Sequence, residues 1–378
     1  MSELDASIIM PVYNVKPEYL TAAIESILEL VRRTGSAELV TLDDCSPDGS
    51  REILERYGAE YPDLVRVFHN EKNLGIAESR QRLVNESRGR YILSFDQDDI
   101  MLPFDLAGII AMLDRETNYC ASYASKYLFN EKGLTGAIHG GEYSWFNAFF
   151  TPKMNINAMV IRRSDLLSHG SFKMIPGKRN APDEDVYLMT RMAQDRDFHY
   201  DTTPRVLYRF HEQQKTRQGD GQGGNEVFFV HEIAMNHPEI YRPIFRRQLP
   251  EVTPENFRLV MGLLGGAVFL NQDNYYLSRW ACEQGLALKR DDYGAWEHFL
   301  LILARFHRDE EFHRALAEAR SVFPADDRYL AYVFTMVEYR NARQYGAAPP
   351  ELEKRLHDVV EAYSVPPPIV TENLPKPA

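Results

Sequence analysis

Asp96-Gln97-Asp98-Asp99 closes an apolar run, Tyr91 to Phe95, that reads as a buried strand. A carboxylate left unpaired in an apolar interior is costly, so acids at a strand end are either solvated or engaged. Two hard oxygen ligands two residues apart on an extended backbone can share one Mg²⁺ or Mn²⁺ that phosphate oxygens also hold. A solvated turn is the other reading of an isolated D-x-D. Similar polar pairs end the other apolar runs: Tyr13-Asn14, Asp43-Asp44 and His69-Asn70. Asp183-Glu184-Asp185 follows Pro182 at a helix start, where acids stabilise the macrodipole.

The elements that must position these residues alternate. Strands are predicted at Ser7 to Tyr13, Glu38 to Leu42, Val65 to Phe68 and Tyr91 to Phe95. A helix opens at Pro17, repeats Leu20, Ile24, Ile27, Leu28 and Val31 at steps of three and four, and stops at Gly35. Further helices are predicted at Ser50 to Tyr57 and Ala77 to Ser87. That order implies right-handed crossovers and a mostly parallel sheet, whose ligands sit beyond the carboxyl ends of its strands. Residues 100–217 read as a mixed second half, with a strand at Ala158 to Arg162, a helix from Glu184 to about Gln194 and a strand near Val206 to Phe210.

Taken in order, Ser7-Ile8-Ile9-Met10-Pro11-Val12-Tyr13-Asn14, Leu42-Asp43-Asp44-Cys45-Ser46-Pro47-Asp48-Gly49-Ser50, Asn73-Leu74-Gly75-Ile76-Ala77-Glu78-Ser79-Arg80, Asp96 to Asp99, and Glu184-Asp185 with Arg191 resemble the inverting glycosyltransferases of family 2. The resemblance covers roughly residues 5–217 and implies a Rossmann-like GT-A fold and a nucleotide-diphosphate sugar donor. Two positions depart from the family pattern: Cys45 stands where glycine is usual, and Gln81-Arg82 follows Arg80 in place of an asparagine. Neither removes a side chain the chemistry needs.

The resemblance implies roles. Pro11 and Tyr13 belong to the nucleotide side, Tyr13 stacking on the base. Asp43 or Asp44 accepts a uracil-type N3–H, with capping of the helix near Ser50 as the other reading and Asp48 as a further cap. Arg80, Lys215 and Arg217 face the diphosphate. Asp96 reaches ribose or metal, Asp98 and His211 the metal (Mn²⁺ or Mg²⁺), and Asp99 holds the following loop. Asp185 is the general base that takes the acceptor hydroxyl's proton; for such a base, reach counts before pKa. Gln214 to Gln218 partly echoes the Q-x-x-R-W of processive synthases, but without the tryptophan or membrane helices, so single-sugar transfer is expected. His139, Trp145 and the aromatic stretch Tyr143 to Phe150 are acceptor-side candidates that equally suit a core.

Other matches fail for lack of context. Gly219 to Gly224 satisfies G-x-G-x-x-G but follows no predicted strand, so residues 218–226 read as a linker or lid. His231-Glu232 and His237 miss the H-E-x-x-H spacing. No glycine-rich loop follows the first strand, which argues against a nucleotidylyltransferase. Residues 227–364 read as helical. There Asp291-Asp292 recurs as Asp326-Asp327 after 35 residues, a step resembling tetratricopeptide-type hairpins, with an unrelated bundle as the alternative. Residues 365–378, rich in proline, read as a disordered tail.

Composition bounds the function. The 378 residues carry 43 Lys and Arg against 55 Asp and Glu, a net charge of −12, which argues against a nucleic-acid binder. Three scattered cysteines lack metal or disulfide spacing and suit a reducing compartment. No apolar run approaches the roughly 20 residues of a membrane span, and the N-terminus lacks a basic signal region. The expectation is a cytoplasmic, metal-dependent hexosyl- or N-acetylhexosaminyltransferase of polysaccharide biosynthesis. Its donor would be UDP-linked, its acceptor a saccharide or lipid-linked saccharide, with peripheral membrane contact and a protein partner on the helical region as open options. The alternative is a sugar-nucleotide-binding interaction module.

Overall fold

The computed structural model describes residues 4–131, 133–141, 154, 156–173, 184–211, 275–288, 290–291, 293–323, 328–344 and 346–364. They belong to two compact units, one drawn from Met1–Gly141 and Met154–Gly223, the other from Gly224–Ile369. The expected linker at 218–226 and tail at 365–378 lie outside the described residues.

The first unit is built on a nine-stranded mixed sheet. Its nucleotide-side half has β1 (Ala6–Val12), β2 (Ala37–Asp43), β3 (Val65–His69) and β4 (Tyr91–Ser94), all parallel in the order β3-β2-β1-β4. Strand order reverses at β1, which has β2 on one side and β4 on the other. The second half adds β5 (Ile100–Met101), β6 (Tyr119–Asn130), β7 (Gly133–His139), β8 (Val160–Arg162) and β9 (Asp197–Arg209). There β8 joins β4 and β6 antiparallel, β9 runs parallel to β6, β5 pairs antiparallel with β9, and β7 pairs antiparallel with β6.

The helices between the strands are those whose periodicity is legible. In α1 (Pro17–Thr34), proline sits in the first turn and Leu20, Ile24, Ile27, Leu28 and Val31 are buried. Each such side chain contributes roughly 1.5–3 kcal/mol on burial. Gly35 ends the helix at φ 73, in the left-handed region, where its N–H donates to the Val31 carbonyl. Helices α2 (Ser50–Glu60), α3 (Ile76–Glu86) and α4 (Leu106–Arg115) follow. In α4, Asp105 caps the N-terminus by accepting from Gly108 N–H at 2.9 Å. Two short helices, α5 (Arg163–Ser168) and α6 (Glu184–Met192), complete the described part of the unit. The core lies between β1, β2 and β4 and the inner faces of α1 and α4.

The second unit contains α7 (Tyr275–Leu288), α8 (Tyr293–Arg305), α9 (Asp309–Val322), α10 (Arg328–Gln344) and α11 (Pro350–Ser364). Helices α7 and α9 start 34 residues apart, and α8 and α10 start 35 apart, so a helix pair repeats at the spacing of the Asp-Asp step. Trp296 is buried and donates its indole N–H to the Arg290 carbonyl at 2.9 Å. No helix among the described residues is long and apolar enough to cross a membrane.

Candidate active site

Strand order reverses at β1, and the carboxyl ends of β1 and β4 there mark the position at which open α/β sheets take ligands. Pro11 pairs across to Leu42 within the sheet, and Tyr13 follows β1 with its side chain 40% exposed. The Gln97 side chain ties the two strand ends together. Its Oε1 accepts from Tyr13 N–H at 2.7 Å, and its Nε2 donates to the Tyr13 carbonyl at 3.0 Å. The amide thus acts as one more rung of a ladder and fixes the backbone that carries the Tyr13 ring.

Both acids at the end of β2 are buried. Asp43 accepts from Ser46 N–H at 3.1 Å. The Asp44 carboxylate accepts from Asn70 Nδ2 at 2.7 Å and from the backbone N–H groups of Leu74 and Gly75, both at 2.9 Å. Of its roughly four lone-pair directions, three are taken, two of them by the Leu74-Gly75 backbone that leads into α3 and one by Asn70. Asp48 accepts from Ser50 N–H at 2.9 Å just ahead of α2, whose N-cap position is held by Gly49. Cys45 lies at φ 61 and Asn14 at φ 50, both left-handed, which explains why glycine suits the Cys45 position.

Arg80, expected to face a diphosphate, is 3% exposed and spans two acids: Nη2 lies 2.8 Å from Asp96 Oδ1, and Nη1 bonds Glu184 Oε1. Its place one turn into α3 turns it inward, where it packs over the Phe172 ring. Burial raises the Asp96 carboxyl above its usual range while Arg80 draws it back down. Burial likewise pushes Glu184 up to about 7, with Arg80 opposing and Asp185 adding to the rise. Arg80 therefore fastens the start of α6, with Asp185, to the end of β4. Arg191, on the same helix, donates to the carbonyls of His169 and Ser171 and holds the loop after α5.

Asp98 and His211 meet, Oδ2 to Nε2, at 2.8 Å. Asp99 is fully buried and accepts from Arg209 N–H at 2.7 Å and Asn157 Nδ2 at 2.5 Å, so it holds the loop as expected. Burial, then the charges of Asp98 and Asp96, raise its pKa well above the usual range. Arg209 donates from Nε to the Asp98 carbonyl at 2.8 Å and lies 4.1 Å from the Tyr19 ring centroid, which in turn sits 5.4 Å from the His211 ring. Asp96, engaged by Arg80, does not join Asp98 and His211: no group of three or more His, Cys, Asp or Glu among the described residues is arranged to hold a metal. Lys215, Arg217, Trp145 and the stretch Tyr143 to Phe150 lie outside the described residues.

Sequence reasoning did not single out Gln97, Asn157 or Arg209 for any role. Gln97 stood inside a motif read only for its acids, and the other two act on residues more than fifty positions away.

Residues 7–170 match the model of the family described as Glycosyl transferase family 2. EpsE of Bacillus subtilis (strain 168) is 33% identical over 131 residues, 35% of this chain and 46% of EpsE. The minor teichoic acid biosynthesis protein GgaB of the same organism is 34% identical over 132 residues, 35% of this chain and 14% of GgaB. The chain thus spans less than half the length of these relatives. Among solved structures, the crystal structure of GalNAc-T7 with UDP, GalNAc and Mn²⁺ superposes with a TM-score of 0.50 at 18% identity, covering 69% of this chain and 55% of that one. At that identity the likeness is one of fold, and the fold is GT-A.

Proposed function

We propose that the chain transfers a single sugar, with inversion, from a UDP-linked donor to a saccharide or lipid-linked acceptor. The observation that carries this reading is the Asp96–Arg80–Glu184 bridge, which puts the helix bearing Asp185 beside the nucleotide-side strand ends. Tyr13 offers an exposed ring for the base, and Asp44 keeps one lone-pair direction for an N–H donor. Asp185 takes the proton of the acceptor hydroxyl as the oxygen attacks the anomeric carbon opposite the leaving diphosphate. The Glu184–Arg80 pair sets the position of that carboxylate.

Asp98 and His211 suit a divalent cation: one carboxylate oxygen and one imidazole nitrogen converge, and diphosphate oxygens and water complete such sites elsewhere. When bound, the cation neutralises the charge that develops on the departing diphosphate. GalNAc-T7 was crystallised with UDP and Mn²⁺, and GgaB is named for teichoic acid biosynthesis, which supports a nucleotide donor and a cell-surface polymer acceptor.

A thermal-shift panel of UDP-, GDP- and dTDP-sugars with Mn²⁺ tests the donor assignment. UDP-sugars at about 100 times their Kd should stabilise the chain by about 2.7 kcal/mol, and EDTA should reduce the shift. No shift with any nucleotide sugar would refute the assignment.

A further inference from the structure

At the other end of β4, where the strand begins, a cavity of about 410 Å³ opens beside Arg88, Arg90, Arg162 and Arg163, with Ser164 and Leu167 also in its wall. Four cationic side chains and no carboxylate line it, in a chain of net charge −12. Two of the four are balanced from behind. Arg90 pairs with Asp5 at 2.8 Å and Asp114 at 3.2 Å, and Arg162 with Asp165 at 3.3 Å and Asp114 at 3.6 Å. These acids stand outside the lining and hold the two guanidinium groups in place.

The other two have no such balance. Among the described residues neither Arg88 nor Arg163 forms an ion pair. Arg163 donates only weakly from Nη2 to the Val84 carbonyl at 3.4 Å, and its buried Nε has no partner. Arg88 is exposed and Arg163 half-buried. A buried N–H such as Arg163 Nε left without an acceptor is costly, a cost that an anion accepting from it would remove. Planar forks of donors match phosphate oxygens, and Ser164 adds a hydroxyl.

We propose that this cavity binds a phosphate group. Its place at the amino end of β4 separates it from the candidate site at the carboxyl end, so the assignment stands whether or not the reaction proposed above is correct. The group is carried either by a small soluble molecule or by a lipid headgroup, and the exposed Leu167 at the rim is compatible with both.

The test uses the full chain and the variant Arg88→Gln/Arg163→Gln, with Arg88→Lys/Arg163→Lys as the conservative control. Inorganic phosphate and pyrophosphate are titrated by calorimetry, and sedimentation with phosphatidylglycerol or phosphatidylcholine vesicles forms the lipid arm. Circular dichroism and the unfolding midpoint serve as a check that the variants are folded. Saturable phosphate or pyrophosphate binding that weakens at least tenfold in the Gln variant, with the wild-type spectrum and midpoint retained, supports a soluble ligand. Binding to phosphatidylglycerol vesicles alone, lost in the same variant, supports a headgroup. Wild-type protein that binds none of these probes, or a Gln variant that binds them as tightly as wild type, overturns the proposal.

Discussion

Arg80 carries a permanent charge into the interior and is met there by two carboxylates from different parts of the chain, Asp96 and Glu184. Removing one partner of such a buried group leaves the others uncompensated, so Arg80→Ala should cost about 3–5 kcal/mol in chemical denaturation. Glu184 gives this network a pH dependence. Its folded-state pKa is raised from 4.5 to about 7, so between those values the folded chain holds a proton that the unfolded chain has released. Its contribution therefore falls as pH rises from about 4.5 to 7, and Glu184→Gln should flatten the stability profile in that window. Cys45 supplies a second test: at φ 61 its Cβ is strained, and Cys45→Gly should raise stability by about 1 kcal/mol. The acids of the site were legible because carboxylates at strand ends are costly unless used. The inward turn of Arg80 was not, since the spacing N-x-G-x-A-x-x-R says that an arginine sits one turn into a helix but not which of its neighbours will be acidic.

The nucleotide-side strands and the helices between them follow the sequence pattern to within a residue or two at most ends, because each is a short apolar run or a clear helical stripe closed by glycine, proline or a polar pair. Strands β6 and β9 escaped or were read too short. Strand β6 carries Ser122 and Ser125 at buried positions, which breaks the apolar signal, yet both are satisfied across the sheet. Ser122 meets His199 Nδ1 at 3.1 Å and accepts from Arg205 at 2.7 Å, while Ser125 meets the Tyr200 hydroxyl at 2.6 Å. Periodicity cannot see a partner seventy-five or more residues away. At this scale Asp44 is the residue to change. Asp44→Ala strips the acceptor from two backbone N–H groups and from Asn70, loosens the entry to α3, and should cost about 3 kcal/mol with a matching fall in Tm.

Over the whole molecule, the net charge of −12 sits beside a site whose convergent groups, Asp96, Asp98, Glu184 and Asp185, are acidic, with Arg80 already committed to two of them. An anionic donor approaching such a site needs added positive charge, which is the physical ground for proposing a divalent cation at Asp98 and His211. The helical unit repeats a helix pair at 34 to 35 residues, a period visible in the sequence through its two Asp-Asp steps. The proposed transfer turns on Asp185 as its base. Donor consumption and UDP release with Mn²⁺, followed for wild type and Asp185→Asn at saturating donor, decide that role. Turnover should fall at least a hundredfold in Asp185→Asn with donor binding within a few-fold of wild type. Equal turnover in the two proteins would rule Asp185 out as the base.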